Sequence, residues 1–544
     1  MTELAVDFGS EPPASWAVAA IQEVAEMSPK LEVSDLENDR PVHFVPMSAV
    51  AEDFGGLDAS QLRSLHEVRK GYTYFSEGDV LFAKITPCME NGKGAIVPNL
   101  QYGHAFGSTE FHVLRPGDAV ANKWLAYYLS QPDFRRVARQ NMTGTAGQLR
   151  VPSKWLGAAG VPIPPRAEQT RIVEKLDELL SDLDAGVAEL KAAQRKLAQY
   201  RQSLLKAAVE GALTADWRAA HGTPQETGAE LLQRILTARR ARWEQKQLAR
   251  FAEQGKTPPK GWQAKYPEPV APDFAGLPQL PAGWVWASVE QIASDEPYAL
   301  AIGPFGSNLV VPDYRDKGVP LVFVRNIRSK IYGGSATKFV TPEKANELKA
   351  HQVTAGDVLV TKMGEPPGDA DVYPVGQPMA VITADCIKIR PAHELIDPHY
   401  LAAVINSPWG IEQIKPMTQG VAQKKVSLGR FSGFVLPLPS KAEQDVVVAL
   451  LAKSFTSIEE QDVSTELSLK QAAAQRKNLL KAAFAGQLVP QDPQDEPASA
   501  LLARIRAARE QSPAPRGRRA GSKPAPATNA PIPTRHGRKA KEGA

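Results

Sequence analysis

Several polar runs stand out for the chemistry their side chains allow. FAKITPCMENGKGA carries Lys84, Thr86, Asn91 and Lys93, GSTEF carries Ser108 and Thr109, and GTAGQLR carries Gln148 and Arg150. In the C-terminal half, FGSN offers Ser307 and Asn308, FVRNIR offers Arg325 and Asn326, VTKMGE offers Lys362, and TQGVAQKKVS offers Gln423, Lys424 and Lys425. Amides, hydroxyls and cations mixed in this way donate and accept hydrogen bonds; they do not make a nucleophile, base and acid set. Lys and Arg ordinarily lie on solvated surface, and Ser or Asn beside Gly ordinarily makes turns. The runs therefore count as groups rather than residue by residue. No G-x-x-x-x-G-K-[ST] loop is present, and NGKG (91–94) and GEPPGDAD (364–371) read as loops rather than cofactor turns. No Ser/His/Asp set or metal cluster stands out, and Cys88 and Cys386 read as two reduced thiols without C-x-x-C spacing.

The elements that must position these runs come in two copies. PASWAVAAIQEVA (13–25) matches PAGWVWASVEQIA (281–293), pairing Trp16 with Trp284. GDVL occurs at 78–81 and again at 356–359. VPIPPRAEQ and VLPLPSKAEQ follow, then RQSLLKAAVEGALT (201–214) and RKNLLKAAFAGQLV (476–489), and LLQRI (231–235) is echoed by LLARI (501–505). The same phrases in the same order imply a duplicated chain.

Each copy closes on a long helix. Leu176, Leu183, Leu190, Leu197 and Leu204 recur every seven residues, and Leu451, Ile458, Thr465, Ala472 and Leu479 take the corresponding places in the second copy. Such heptads are a seam for another helix. Both segments follow proline, carry Glu168 or Glu443 in the first turn, and run into Gly211 or Gly486. About 45 helical residues extend roughly 65 Å, too long to pack on one domain alone. The expectation is an antiparallel pair made from Leu176, Leu183, Leu190, Leu197 and Leu204 against Leu451, Ile458, Ala472 and Leu479.

Short β-rich runs (DVLFAKI, VPLVFVRNI, DVLVTKM) alternate with helical stretches (NKWLAYYLSQPDFRRVARQ, PHYLAAVINSPWGIEQI) ahead of each long helix. The fold class is thus α/β in the α+β sense, two similar mixed domains with a pseudo-twofold internal repeat. The expected organisation is 1–165 and 281–440 as the two domains, 166–212 and 441–488 as the long helices, 213–280 as a helical and Pro-rich connector, and 489–544 as a C-terminal segment ending in a disordered basic tail. With 43% hydrophobic and 23% charged residues the composition is that of an ordinary soluble globular protein. The start, MTELAVDFGSEPPAS, has neither a basic opening nor an apolar run, so a cytoplasmic chain without a signal peptide is expected. A net charge of +4 is too small to identify a polyanionic partner by itself.

The duplicated plan, the helix openings, LLKAAFAGQL, GPFGSNLVVPDY (303–314) and ITPCMENGKGA (85–95) together resemble the specificity subunit of type I restriction-modification enzymes. The resemblance covers nearly the whole chain except the C-terminal tail. It implies two target-recognition domains, each reading one half of a bipartite asymmetric double-stranded DNA site. It implies helices that dock two modification (methyltransferase) subunits, which restriction subunits then join. The chain itself would be non-catalytic and without cofactor; S-adenosylmethionine, ATP and Mg would belong to the partner subunits. In agreement, the Asn/Asp-Pro-Pro-Tyr/Phe motif of amino-methyltransferases is absent. On this reading the polar runs face base edges and phosphates, and the basic tail either touches phosphates weakly or only solubilises the chain. The two loop sets differ strongly, as independent reading of unlike half-sites requires. Two other readings stay open here: a self-sufficient DNA methyltransferase or nuclease with two fused recognition domains, and a scaffold that gathers proteins without DNA.

Overall fold

The computed structural model describes residues 6–7, 11–31, 37–145, 147–222, 224–335, 337–392, 394–420 and 424–511. The expected basic tail and Gln423 lie outside the described residues. The chain divides into two compact units, one running up to Leu183 and resuming from Ala473, the other spanning Asp184–Ala472.

In the first unit a four-stranded antiparallel sheet takes the order Ala25–Met27, Phe111–Pro116, Val80–Ala83, Gly94–Ile96. A second sheet takes the order Leu62–Ser64, Pro41–Val45, Ala105–Gly107, Thr73–Phe75, with the middle pair parallel. Ala17–Ala20 pairs with Gly160–Ile163, and Thr143–Thr145 with Gln148–Arg150.

The second unit repeats this plan strand for strand. Leu300–Ile302, Cys386–Ile389, Val358–Thr361 and Ala370–Val372 form the antiparallel sheet. Phe339–Val340, Val319–Val322, Ala380–Ile382 and Gln352–Val353 form the other, again with its middle pair parallel. Val285–Ser288 pairs with Val435–Leu438, and Thr418–Gln419 with Lys425–Val426.

Local chemistry explains why the repeated phrases survive. In each GDVL the aspartate turns back to cap its own turn and grips an arginine on the neighbouring strand. Asp79 accepts from the Ser76 N–H at 2.8 Å and from Arg115 Nε and Nη2, each at 2.8 Å. Asp357 accepts from the Thr354 N–H at 2.9 Å and from Arg390 Nε and Nη2, each at 2.8 Å. Both carboxylates are buried, so the bidentate arginine is what makes their charge tolerable. The helical stretches are broken at Gln131 and Ser407, each held in extended backbone by the proline that follows, giving Asn122–Ser130 with Pro132–Gln140 and Pro398–Asn406 with Pro408–Met417. One strand expectation needs correction. VPLVFVRNI is a strand only through Val322; Val324–Ser329 is a short helix, because the Asn326 side chain accepts from the Phe323 N–H at 2.9 Å and caps its start.

The long helices are Arg166–Val209 and Lys441–Phe484. In the first unit Ile172, Leu176 and Leu180 share a core with Leu480, Ala483 and Phe484, and Leu183 and Leu479 pack at its margin. In the second, Leu204, Leu205 and Ala208 share a core with Val447, Leu451 and Ile458, with Leu197 at the margin. The opening of each helix thus meets the close of the other, the pattern of an antiparallel pair. Ala472 and Thr465 are buried, Leu190 is half-buried, and the Thr465 hydroxyl donates to the Gln461 carbonyl at 2.8 Å.

The openings of both helices are locked by the same side chains. Trp16 Nε1 donates to Glu168 at 3.0 Å, and Trp284 Nε1 to Glu443 at 2.8 Å. The next residue, Gln169 or Gln444, is fully buried and satisfies backbone groups, accepting from the Ala121 and Asp397 N–H respectively, each at 2.9 Å. The glycines that end the helices serve the opposite copy. Gly486 has φ +69°, and a Cβ there would lie 2.4 Å from Pro13; Gly211 has φ +75°, and a Cβ would lie 2.6 Å from Pro281. Each Pro-x-x-Trp turn is therefore held by the start of its own helix and by the end of the other. The helices that follow repeat the arrangement: Gly228 N–H donates to the Gly283 carbonyl at 2.7 Å and Ala498 N–H to that of Ser15 at 3.0 Å. Among the described residues no helix is long and apolar enough to cross a membrane.

Candidate nucleic-acid interface

In the first unit three of the polar runs converge. The turn that leaves Val80–Ala83 is stitched to the Gln148–Arg150 hairpin, Thr86 N–H donating to the Leu149 carbonyl at 3.0 Å and Val151 N–H to that of Lys84 at 2.8 Å. Lys84 N–H donates in turn to the Glu110 carbonyl at 2.9 Å, bringing in the GSTEF turn. Lys84, Thr86, Ser108, Thr109, Gln148 and Arg150 thereby form one cluster, with Thr109 and Gln148 exposed. The Thr86 hydroxyl donates to the Gly147 carbonyl at 3.3 Å, and that of Ser108 accepts from the Glu110 N–H at 3.2 Å. Arg150 meets Glu110 through one edge of its guanidinium, with Nη2 at 2.7 Å and Nε at 2.9 Å. The arginine holds the Glu110 carboxyl below the usual carboxylate range.

Asn91 and Lys93 point elsewhere. Lys93 Nζ donates to the carbonyls of Met47 and Val50 at 3.2 and 3.0 Å, and Asn91 Nδ2 donates to Glu52 at 2.8 Å. They brace the 47–53 segment against the sheet.

The second unit builds the same junction with other residues. Lys362 N–H donates to the Asp385 carbonyl at 2.8 Å, and Val426 N–H to that of Lys362 at 3.0 Å. Lys362 itself is buried: its ammonium donates to the Ala384 carbonyl at 3.1 Å and lies 4.5 Å from the centre of the exposed Phe305 ring. Burial lowers its pKa. Lys424 and Lys425 are exposed, and Lys424 Nζ pairs with Glu365 at 2.8 Å. Phe305 brings the exposed Ser307 and Asn308 to the same loop group. Arg325 is exposed with its guanidinium 4.2 Å above the Phe323 ring, whereas Asn326 is occupied as a helix cap and as donor to the Ile331 carbonyl at 2.9 Å.

Sequence reasoning passed over Glu110, Asp385 and Phe305. Glu110 stood inside the GSTEF run, but an acid is an unpromising partner for phosphates; only its contact with Arg150 reveals it. Phe305 is 58% exposed, and an isolated aromatic between Pro and Gly carries no periodic signal.

Comparison with known proteins agrees with this architecture. Residues 13–192 match the family described as type I restriction modification DNA specificity domain. The type I restriction enzyme EcoEI specificity subunit of Escherichia coli is 26% identical over 493 residues, 82% of this chain and 78% of that protein. The EcoAI specificity subunit of Escherichia coli is 30% identical over 324 residues, 52% of this chain and 51% of that protein. A solved chain from work on complex assembly and conformational transition of the type I R-M system shares the fold at a TM-score of 0.62, with 16% identity, covering 88% of this chain and 99% of its own. Along most of its length the chain is similar to type I restriction enzyme specificity subunits.

Proposed function

We propose that this chain is the non-catalytic, sequence-reading subunit of a type I restriction-modification complex. Its two domains each read one half of a bipartite, asymmetric DNA site through the loop junctions described above. The first domain would use Lys84, Thr86, Ser108, Thr109, Gln148 and Arg150; the second would use Ser307, Asn308, Arg325, Lys424 and Lys425. Two modification subunits dock on the chain and restriction subunits join through them. S-adenosylmethionine, ATP and Mg serve those partners rather than this chain. One observation carries the reading: a junction copied in backbone hydrogen bonding, Lys84 to Glu110 and Val151 against Lys362 to Asp385 and Val426, keeps its frame while the neighbouring side chains change, Ile85, Thr109 and Leu149 standing against Met363, Ala384 and Lys424. A scaffold without DNA would give the loops no reason to diverge while their frame stayed fixed.

Co-expression of the chain with its modification subunit, followed by sequencing of genomic methylation, tests the proposal. The expected result is one bipartite asymmetric motif that depends on the chain. Methylation without any such motif, or methyl transfer by the purified chain alone with methyl donor and DNA, overturns it.

A further inference from the structure

Arg150 is fixed more firmly than an exposed reader needs to be. Its backbone bridges Ile85, and the residues on either side, Leu149 and Val151, are bonded to Thr86 and Lys84. Glu110 takes Nε and Nη2, and the Gln148 carbonyl takes Nη1 at 3.2 Å. A guanidinium has five N–H groups, so two remain, one on each terminal nitrogen. The side chain is 40% exposed. Guanine is the base that shows two adjacent acceptors, O6 and N7, in the major groove, and a pair of parallel N–H donors fits them.

We infer that Glu110 and Arg150 form a preset fork that reads one guanine in the half-site addressed by the first domain. Arg150 is the specificity-determining residue; Glu110 is a positioning residue that holds the fork and removes the rotamer freedom binding would otherwise have to freeze. The inference rests on the DNA-reading proposal above and deepens it. The corresponding place in the second domain is Lys425, whose bridge to Met363 repeats that of Arg150 to Ile85. An ammonium is a point charge without a planar fork, so no equivalent guanine requirement is expected there.

The test is the methylation profile of complexes carrying Arg150→Lys or Glu110→Gln. Arg150→Lys keeps the charge but not the fork. It should relax discrimination at a single G·C pair of one half-site by roughly tenfold to a hundredfold, leaving the spacer and the other half unchanged. Glu110→Gln should relax the same position by less. An even loss of methylation with an unchanged motif would make Arg150 a phosphate contact and overturn the inference, as would a wild-type motif with no G·C pair in that half. Absence of any chain-dependent motif would instead sink the broader DNA-reading proposal. If Arg150→Lys fails to assemble, the wild-type complex is offered duplexes with 7-deazaguanine, which lacks the N7 acceptor, at each guanine of the motif in turn. Binding should weaken at one guanine; no loss at any of them overturns the fork.

Discussion

The two domains share their interior almost bond for bond and part company at the loop junctions. Asp79 with Arg115 and Asp357 with Arg390 make the same bidentate pair, and Trp16 with Glu168 and Trp284 with Glu443 the same buried hydrogen bond. At the loop junctions, Glu110 and Arg150 give way to Asp385 and Lys425. Interactions that satisfy a buried charge cannot drift, because half of such a pair costs more than none. Side chains at a loop junction held by backbone bonds can change freely, because the backbone rather than the side chain carries the geometry. The differences that remain inside the shared interior are therefore informative, and they give ways to break the comparison.

The largest effect should come from the aspartates of GDVL. Asp357→Ala takes the bidentate partner from Arg390, whose side chain is only 19% exposed, leaving it Glu296 on Nη1, and removes the acceptor of the Thr354 N–H. A loss of about 3–5 kcal/mol is expected. Asp79→Ala should cost less, about 2 kcal/mol, because Arg115 is 35% exposed and can turn to water. Hydrogen exchange at Val358–Thr361 and Val80–Ala83 in the respective variants reads the two losses separately. Equal losses would mean that burial of the arginine does not set the cost.

A second asymmetry lies two residues from each arginine pair. Leu81 faces the buried Val113, whereas Leu359 faces Lys388, equally buried. Lys388 Nζ donates to the Gln352 carbonyl at 2.8 Å, and burial pulls its pKa down to about 8. The unfolded chain holds that proton up to about pH 10.4, so between the two values it binds more protons than the fold does. Stability of the second domain should therefore rise with pH across that window, by about 2–3 kcal/mol. Lys388→Met should abolish the rise, and the first domain should never show it. Denaturant unfolding at pH 7.5, 9 and 10.5, with hydrogen exchange to separate the domains, checks both statements; a rise that persists in Lys388→Met would assign it to another group.

The tryptophan locks should differ more modestly. Among the described residues Glu168 keeps Gln491 as its hydrogen-bond donor once its indole donor is gone, while Glu443 keeps Thr214 and Arg218. Trp16→Phe is expected to cost about 2–3 kcal/mol and Trp284→Phe about 1 kcal/mol less. Thermal unfolding of the two variants orders them, and the reverse order would show that packing against the glycine turns outweighs the hydrogen bond.

Much of this was legible in the sequence because duplication prints its constraints twice. Trp16 and Trp284, Glu168 and Glu443, and the two GDVL phrases were visible as matched letters before any contact was known. The heptads were visible because helical periodicity is local. Sheet order was not, since Val80–Ala83 pairs with strands that only a nonlocal register can bring together. The junction was half legible. Polar runs around Gly marked loops that meet, but nothing in the letters separates Lys93 and Lys362, spent on carbonyls of their own domains, or Lys424, paired with Glu365, from the exposed Lys425. Lysine type reports charge, and only the closed fold reports whether the charge is already satisfied.

The smallest expected effect concerns the helix seam, where Leu190 in one copy stands at the heptad place of Thr465 in the other. Thr465 is buried and satisfies its hydroxyl on the Gln461 carbonyl, so no polar atom is left unpaired. Such back-bonding occupies the hydroxyl without adding to the contact between helices. Thr465→Val keeps the shape, releases the Gln461 carbonyl to its helical partner alone, and exchanges a hydroxyl for a methyl in the seam. A gain of about 0.5–1 kcal/mol is expected, read as a small upward shift in the unfolding midpoint with methylation unaltered. A loss of stability would mean that the seam depends on the hydroxyl, and that the second helix departs from a plain heptad for a reason the first helix lacks.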